Sequence, residues 1–325
     1  MDVRYRVAGR LRDALLNAGI VTKMTIIYVF AILIPSVSMA AYGYRESVRL
    51  TEQEVLSTAV TVFAEVHNRI TEQMNDVTYL ADQIAYNTRL RVFLAKEYRF
   101  QAYDILTYRD VVFPVIEYAS AFLGDEVTGI RVFATNGSIP EYWPYFYHEH
   151  RAQAFPWFEG FASSPEESLW IFPSDSALAS DYVEFDSDSV FTYARKIYGQ
   201  NVRLVGTLAV HVEEEQFFRT LTHFAEENVS FHLVSNTAGV LFSSGPGDDP
   251  AEVKTSGFRE DGHTVLRDGH MVYIGRRLPS TDHSMVSAVN LRAEARATNP
   301  HRYLTPIVII ASVALLEIIS YLGIS

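Results

Sequence analysis

Residues 191–217 read FTYARKIYGQNVRLVGTLAVHVEEEQF. Two β-rich runs, Ser189–Tyr198 and Leu204–Val212, flank a polar Gly199-Gln-Asn turn, the pattern of two strands joined by a hairpin. The charged Glu213–Phe224 that follows has the spacing of a short amphipathic helix. By alternation Phe191, Tyr193, Arg195 and Ile197 share one strand face, so Arg195 sits among aromatic side chains. A cation on an apolar face needs a partner, either a protein carboxylate or a ligand.

Upstream, Tyr44–Ala95 contains no Gly or Pro and is predicted to be one long helix. Phe63, Val66, Ile70, Met74, Val77, Leu80 and Ile84 recur in steps of three and four, with Glu65, Asn68, Arg69, Glu72 and Asn75 off the stripe. The stripe serves packing on the domain's own sheet, or in part a coiled-coil homodimer. A second helix is expected around Phe100–Phe122, then a strand at Val127–Thr135 ended by the Asn136-Gly137 turn. Residues 139–185 are aromatic and read as irregular, and they hold all three tryptophans of the chain. A smaller β-rich unit starts with Val229–Ser235 and Val240–Ser243 around Asn236–Gly239. Strands at His263–Arg267, His270–Arg276 and Ser284–Asn290 and a helix at Leu291–Arg302 complete it.

Two runs differ from the rest. Met24–Tyr42 carries no charge and Leu304–Ile324 only Glu317; each approaches the ~20 residues a membrane-crossing helix needs. Residues 1–23 carry a net charge of +3, which places them in the cytoplasm by the positive-inside rule. Two spans then put residues 43–303 outside, and the second span, 304–325, returns Ser325 to the inner face. The chain's net charge is −12, and the middle, after the +3 of residues 1–23, carries −15. An outer region this acidic excludes nucleic acid as a partner and makes the lipid bilayer a partner through the spans alone. The absence of cysteine excludes disulfides, thiol catalysis and thiolate metal sites. A region of roughly 250 residues buries enough core without such staples.

In this order the elements resemble the double-Cache (tandem PAS-like) extracellular sensors of bacterial receptors, in particular those of YesM-type sensor histidine kinases. IIYVFAILIPSVSMAAYGYRESV is similar to that family's first span and its exit. FTYARKIYGQNVRLVGTLAVHVEEEQF resembles the strands closing its membrane-distal lobe, and FHLVSNTAGVLFSS the opening hairpin of its membrane-proximal lobe. FPWFEGFASSPEESLWIF resembles the aromatic segment lining the distal pocket. The resemblance implies an α+β fold with a long N-terminal helix, a distal lobe at about 96–225 and a proximal lobe at about 226–290, flanked by two transmembrane helices. It also implies a ligand-sensing input region without catalytic activity of its own, in a homodimeric receptor. The sensor of a chemoreceptor or cyclic-dinucleotide receptor is the related alternative. The family's chain continues into a HAMP linker and a kinase, whereas this sequence stops at Ser325, so a fragment or a separate signalling partner is expected. Some of these sensors hold an amino-acid carboxylate with an Arg-x-Trp-Tyr element. Phe155 and Phe158 replace its arginine and tyrosine around Trp157, so bidentate capture there is not expected.

The aromatic stretch is the best candidate for a small-molecule site, because such sites are largely apolar with a few convergent polar groups. Tyr142, Trp157, Trp170 and Tyr193 offer ring faces; Asp175, Asp181 and Arg195 offer orienting hydrogen bonds. The alternatives are core packing for the aromatics and docking of a solute-binding protein on the acidic surface. His148-Glu149-His150 would align two imidazoles on a strand, but no third ligand follows at metal spacing. The acidic Asp181–Asp188 run lacks the glycine of a calcium loop. No metal, cofactor or enzyme activity is expected.

Overall fold

The computed structural model describes residues 34–99, 127–172, 190–225, 228–235, 239–244 and 258–298 apart from 260, with scattered positions at 104–121 and at 19 and 311. Two compact units result. One spans Ala59–Asn290; the described parts of the other are the helix up to Thr58 and a helix at Leu291–Thr298.

Helix α1 (Ile34–Ala85) runs through 52 residues, about 78 Å at the α-helical rise. All seven predicted stripe residues are buried, and the five off it are exposed. Each buried aliphatic or aromatic side chain contributes about 1.5–3 kcal/mol. The stripe is thus consumed by packing within the chain, the first of its two readings.

The long helix breaks before Ala95, against expectation. Its last turn closes with Asn87 N–H on the Ile84 carbonyl at 3.1 Å. Asn87 then caps a new helix, α2 (Thr88–Ala95), its Oδ1 accepting from the amides of Arg89 and Leu90 at 3.0 and 3.1 Å. An asparagine cap interrupts the helix where neither Gly nor Pro marks the site. Of the second predicted helix, the described residues include a π-helical turn at Tyr108–Val112.

The first sheet holds β1 (Val127–Ala134), β2 (Phe146–His148), β3 (Ser168–Ile171), β4 (Val190–Tyr198) and β5 (Leu204–Glu213) in the order β2-β1-β5-β4-β3. All neighbours are antiparallel except β1 and β2, which run parallel. The parallel pair departs from an all-antiparallel lobe and has a local cause. A turn at Asn136 (Ile139 N–H to Asn136 O, 3.3 Å) is followed by a second at Tyr142, whose carbonyl accepts from Tyr145 and Phe146. Two reversals restore the original direction. The stretch predicted as irregular also contains two short helices, α3 (Glu149–Ala152) and α4 (Pro156–Ser163). Pro156 at the first turn and the Phe155, Trp157, Phe158, Phe161 spacing account for α4. Its Phe side chains are buried against the sheet.

Helix α5 (Glu214–Phe224) leads to the second sheet, built of β6 (Val229–Ser235), β7 (Gly239–Ser244), β8 (Thr264–Asp268), β9 (Met271–Arg277) and β10 (His283–Asn290). Its order, β7-β6-β10-β9-β8, repeats the first, and here every pair is antiparallel. Phe217 packs on Phe191 and Trp170, while Phe218 stacks on Phe242 of β7 at 4.2 Å. Phe172 lies 3.8 Å from the His283 ring, centroid to centroid. An aromatic seam therefore joins the two lobes. His67 of α1 hydrogen-bonds the Arg277 carbonyl at 3.2 Å, tying the helix to the second lobe. Helix α6 (Leu291–Thr298) belongs to the other unit.

Among the described residues no helix is long and apolar enough to cross a membrane. The predicted spans lie outside the described residues, apart from Ile34–Tyr42 in α1 and Ala311.

Candidate functional site

Strand alternation gives the first sheet two chemically different faces. One carries Ile130, Val132, Phe191, Tyr193, Ile197, Leu208 and Val210, all buried and almost wholly apolar. The other carries Arg131, Thr192, Lys196, Thr207 and His211, also buried, together with Phe133, Ala194 and Ala209. Tyr147 of β2, Ala152 of α3, Phe155 at the start of α4, and Trp157, Phe158 and Phe161 of α4 pack on this second face.

Polar groups buried there are costly unless paired, so their pairing defines the site. Arg131 is 7% exposed. Burial pulls its guanidinium below the ordinary arginine range, and a hydrogen bond with Tyr147 opposes this. His211 Nδ1 and Thr192 Oγ1 lie 2.9 Å apart. Burial holds His211 well below its usual range, and the Arg131 charge adds to the effect, so the imidazole is neutral at pH 7. The Lys196 ammonium donates to the Ser164 carbonyl at 2.6 Å, at the C-terminus of α4, and lies 5.0 Å from the Phe161 ring centroid. The face thus offers a cation, hydroxyls and a neutral imidazole under an aromatic cover. Hydrogen-bonding groups beneath ring faces are the chemistry by which small polar molecules are generally held.

The predicted site residues do not come together on one face. Trp157 lies on the polar face, stacked on Phe155 at 5.7 Å. Trp170 and Tyr193 pair across strands at 4.9 Å on the opposite face, packed against Phe217, and are core. Arg195 shares that opposite face, as alternation requires. Its partners are protein groups: Asp82 at 3.0 Å, Glu167 at 3.4 Å and the Tyr86 hydroxyl at 2.6 Å, with the guanidinium over the Tyr86 ring. Tyr142 is 42% exposed and contacts Tyr108, Phe113 and Tyr145, toward α2 rather than Trp157. Asp175 and Asp181, with the acidic run to Asp188, lie outside the described residues.

His148 and His150 do not alternate on a strand, because β2 ends at His148 and α3 begins at Glu149. His148 Nε2–H donates to the Ile139 carbonyl at 2.6 Å, and its backbone N–H reaches Glu141. Among the described residues no group of three metal-ligating side chains gathers.

Sequence reasoning missed Arg131, Tyr147, Thr192, Lys196, Thr207 and His211. The signal was period two: Thr192 and Lys196 interleave with Tyr193 and Arg195, and Thr207 and His211 with Leu208 and Val210.

No family profile matches the chain, and no curated protein matches it in sequence. Solved structures do. The ligand-binding domain of the Campylobacter jejuni chemoreceptor Tlp3 in complex with L-valine aligns with TM-score 0.51 and 10% identity, covering 77% of this chain and 97% of that one. The sensory domain of the same chemoreceptor aligns equally, with 98% of its length covered. The extracellular domain of the candidate histidine kinase rpHK1S-Z16 aligns with TM-score 0.45 and 13% identity, over 73% of this chain and 95% of that one. The chain has the fold of two-lobed extracellular sensory domains.

Proposed function

We propose that this chain is the extracytoplasmic ligand-sensing input region of a membrane receptor, and that its small-molecule ligand binds on the polar face of the first sheet. The observation that carries this reading is a contrast between two sheets of identical strand order. In the first, Arg131, Thr192, Lys196, Thr207 and His211 are buried beneath aromatic helices. In the second, the face bearing Val234, Tyr273, Val286 and Ala288 also buries the neutral Ser230, His232 and Ser284, but among the described residues it buries no lysine or arginine. Burying Arg131 and Lys196 on one face costs stability, which recognition of a ligand there would offset. Anchoring by the predicted spans Met24–Tyr42 and Leu304–Ile324, a homodimer and a YesM-type kinase output complete the reading. The sensory fold and the two apolar runs support them.

Ligand binding transmits a signal only through differential affinity for two arrangements of the lobes. The detergent-solubilised chain is to be screened by thermal unfolding against sugars, organic acids, amino acids and short peptides. A compound that raises the wild-type midpoint and leaves Arg131→Ala and Trp157→Ala unmoved supports the reading. Binding that survives both substitutions places the ligand elsewhere. A solute-binding protein that binds where every small molecule fails would replace direct sensing by docking.

A further inference from the structure

The second lobe carries its own occupant. Phe258 precedes β8 and packs on the cluster of Val234, Tyr273, Val286 and Ala288, alongside Val240, Leu266 and Met271. Arg277 N–H holds the adjoining backbone by donating to the Arg259 carbonyl at 3.1 Å. Gly275 of β9 lies directly beneath the ring, and a methyl group on it would overlap three atoms of Phe258. Gly275 has no positive φ and forms no turn, so only close approach of the ring explains a glycine in mid-strand.

The position of this ring is informative. In the first lobe the segment between β2 and β3 supplies the aromatic cover of the polar face, including Trp157. In the second lobe Phe258 comes from the equivalent connection, between β7 and β8, and covers the same side of an identically ordered sheet. That face also carries buried Ser230, His232 and Ser284, but the ring itself lies in the glycine notch at Gly275.

We propose that the face of the second sheet around Gly275 is a site for a flat, apolar aromatic ring, and that the chain fills it with Phe258 as a tethered ligand. The second lobe is thereby closed to small molecules and becomes a receptor for aromatic compounds once Phe258 is withdrawn. This inference does not depend on the site at Arg131.

The test uses the full chain in detergent, with 4-fluorophenol as the probe. In Phe258→Ala the probe is expected to raise the thermal midpoint by several degrees and to give a shifted, broadened ¹⁹F resonance, whereas the wild type shows neither. Adding Gly275→Ala to Phe258→Ala refills the notch and should abolish both responses. Equal responses in wild type and Phe258→Ala, or a response that survives Gly275→Ala, overturn the proposal. Gly275→Ala alone guards against a failure of Phe258→Ala to fold. It must lower the midpoint by expelling the ring, and a midpoint equal to wild type also overturns the proposal.

Discussion

Arg195 and Lys196 are neighbours in β4 whose side chains leave the sheet on opposite sides and tie down different helices. Arg195 donates to the Tyr86 hydroxyl at 2.6 Å and pairs with Asp82 at 3.0 Å, both near the end of α1. Lys196 donates to Ser164 O at the end of α4. One dipeptide thus links the cover of the candidate site to the long helix. Arg195→Met should cost roughly 1–3 kcal/mol. The value falls below the ~3–5 kcal/mol of a fully buried broken pair because Asp82 is partly exposed and rehydrates. Tyr86→Phe should cost about 1 kcal/mol. Urea unfolding measures both, and an Arg195→Met variant as stable as wild type would show that these pairs hold nothing.

Buried histidines fix the acid limb of stability. Burial lowers the pKa of His211, and of His67, below 6.5. Between the folded and unfolded pKa values the unfolded chain binds more protons, so stability rises with pH there and falls as pH drops below about 6.5. The urea midpoint should decrease from pH 7.5 to pH 5. His211→Gln should flatten part of that slope while costing stability at pH 7.5 through the lost Thr192 contact. A slope unchanged in His211→Gln and His67→Gln would assign the acid limb to other groups.

Glu141 sets a second window with its own sign. Burial pushes its carboxyl up, but hydrogen bonds from Arg151 (2.6 Å), the His148 amide (3.1 Å) and Trp143 outweigh that and hold it at about 2. A depressed carboxylate stabilises the fold fully above its unfolded pKa near 4.5, and the contribution is lost as pH falls toward 2. Arg151→Met should raise the Glu141 pKa, read directly by carboxyl NMR titration. It should also shrink the stability difference between pH 5 and pH 3. An unmoved Glu141 titration would mean that the backbone amide alone sets it.

These groups also show what the sequence makes legible. The helical stripe from Phe63 to Ile84 and the strands on either side of Gly199 follow directly from periods of 3.6 and 2. Their side chains meet apolar neighbours wherever the chain goes. The break at Asn87 does not follow, because a cap is recognised only once the helix behind it has stopped. For the candidate site, aromatic content points to the segment holding Trp157, which packs on the polar face of the first sheet. Composition cannot say which face an aromatic covers, so Trp170 and Tyr193 look like site residues while packing on Phe217. Thr207 and His211 sit inside an apolar-looking run and become conspicuous only when α3 and α4 bury them.

Close approach of β1 and β5 makes Gly206 a sensitive position. A Cβ there would stand 2.8 Å from the Phe133 carbonyl oxygen, with Leu94 of α2 in ordinary contact at 3.6 Å. Backbone cannot yield as a side chain can, so Gly206→Ala should destabilise by about 1–3 kcal/mol, as overpacking does. Phe133 and Arg131 lie on the same strand, so ligand affinity should fall as well. A Gly206→Ala protein with wild-type urea midpoint would show that the strands separate freely.

Val202 offers the opposite outcome, a gain. It occupies the tip of the β4–β5 hairpin with φ of 62° and 79% of its surface exposed. A left-handed conformation costs an ordinary L-residue about 1–2 kcal/mol, more for a β-branched side chain, and Val202 recovers little of that by burial. The tip cannot relax, because Gly199 N–H bonds Arg203 O at 2.8 Å and Arg91 of α2 donates to the carbonyls of Tyr198 and Gly199. Val202→Asn should raise stability by roughly 1 kcal/mol, since asparagine tolerates this region. Val202→Gly should gain less, because glycine adds freedom to the unfolded chain. Val202→Pro, locked near −65°, should destabilise. Urea midpoints ordered Asn above Gly above Val above Pro would establish stored backbone strain at the tip. An Asn variant no more stable than wild type would show that the hairpin carries none.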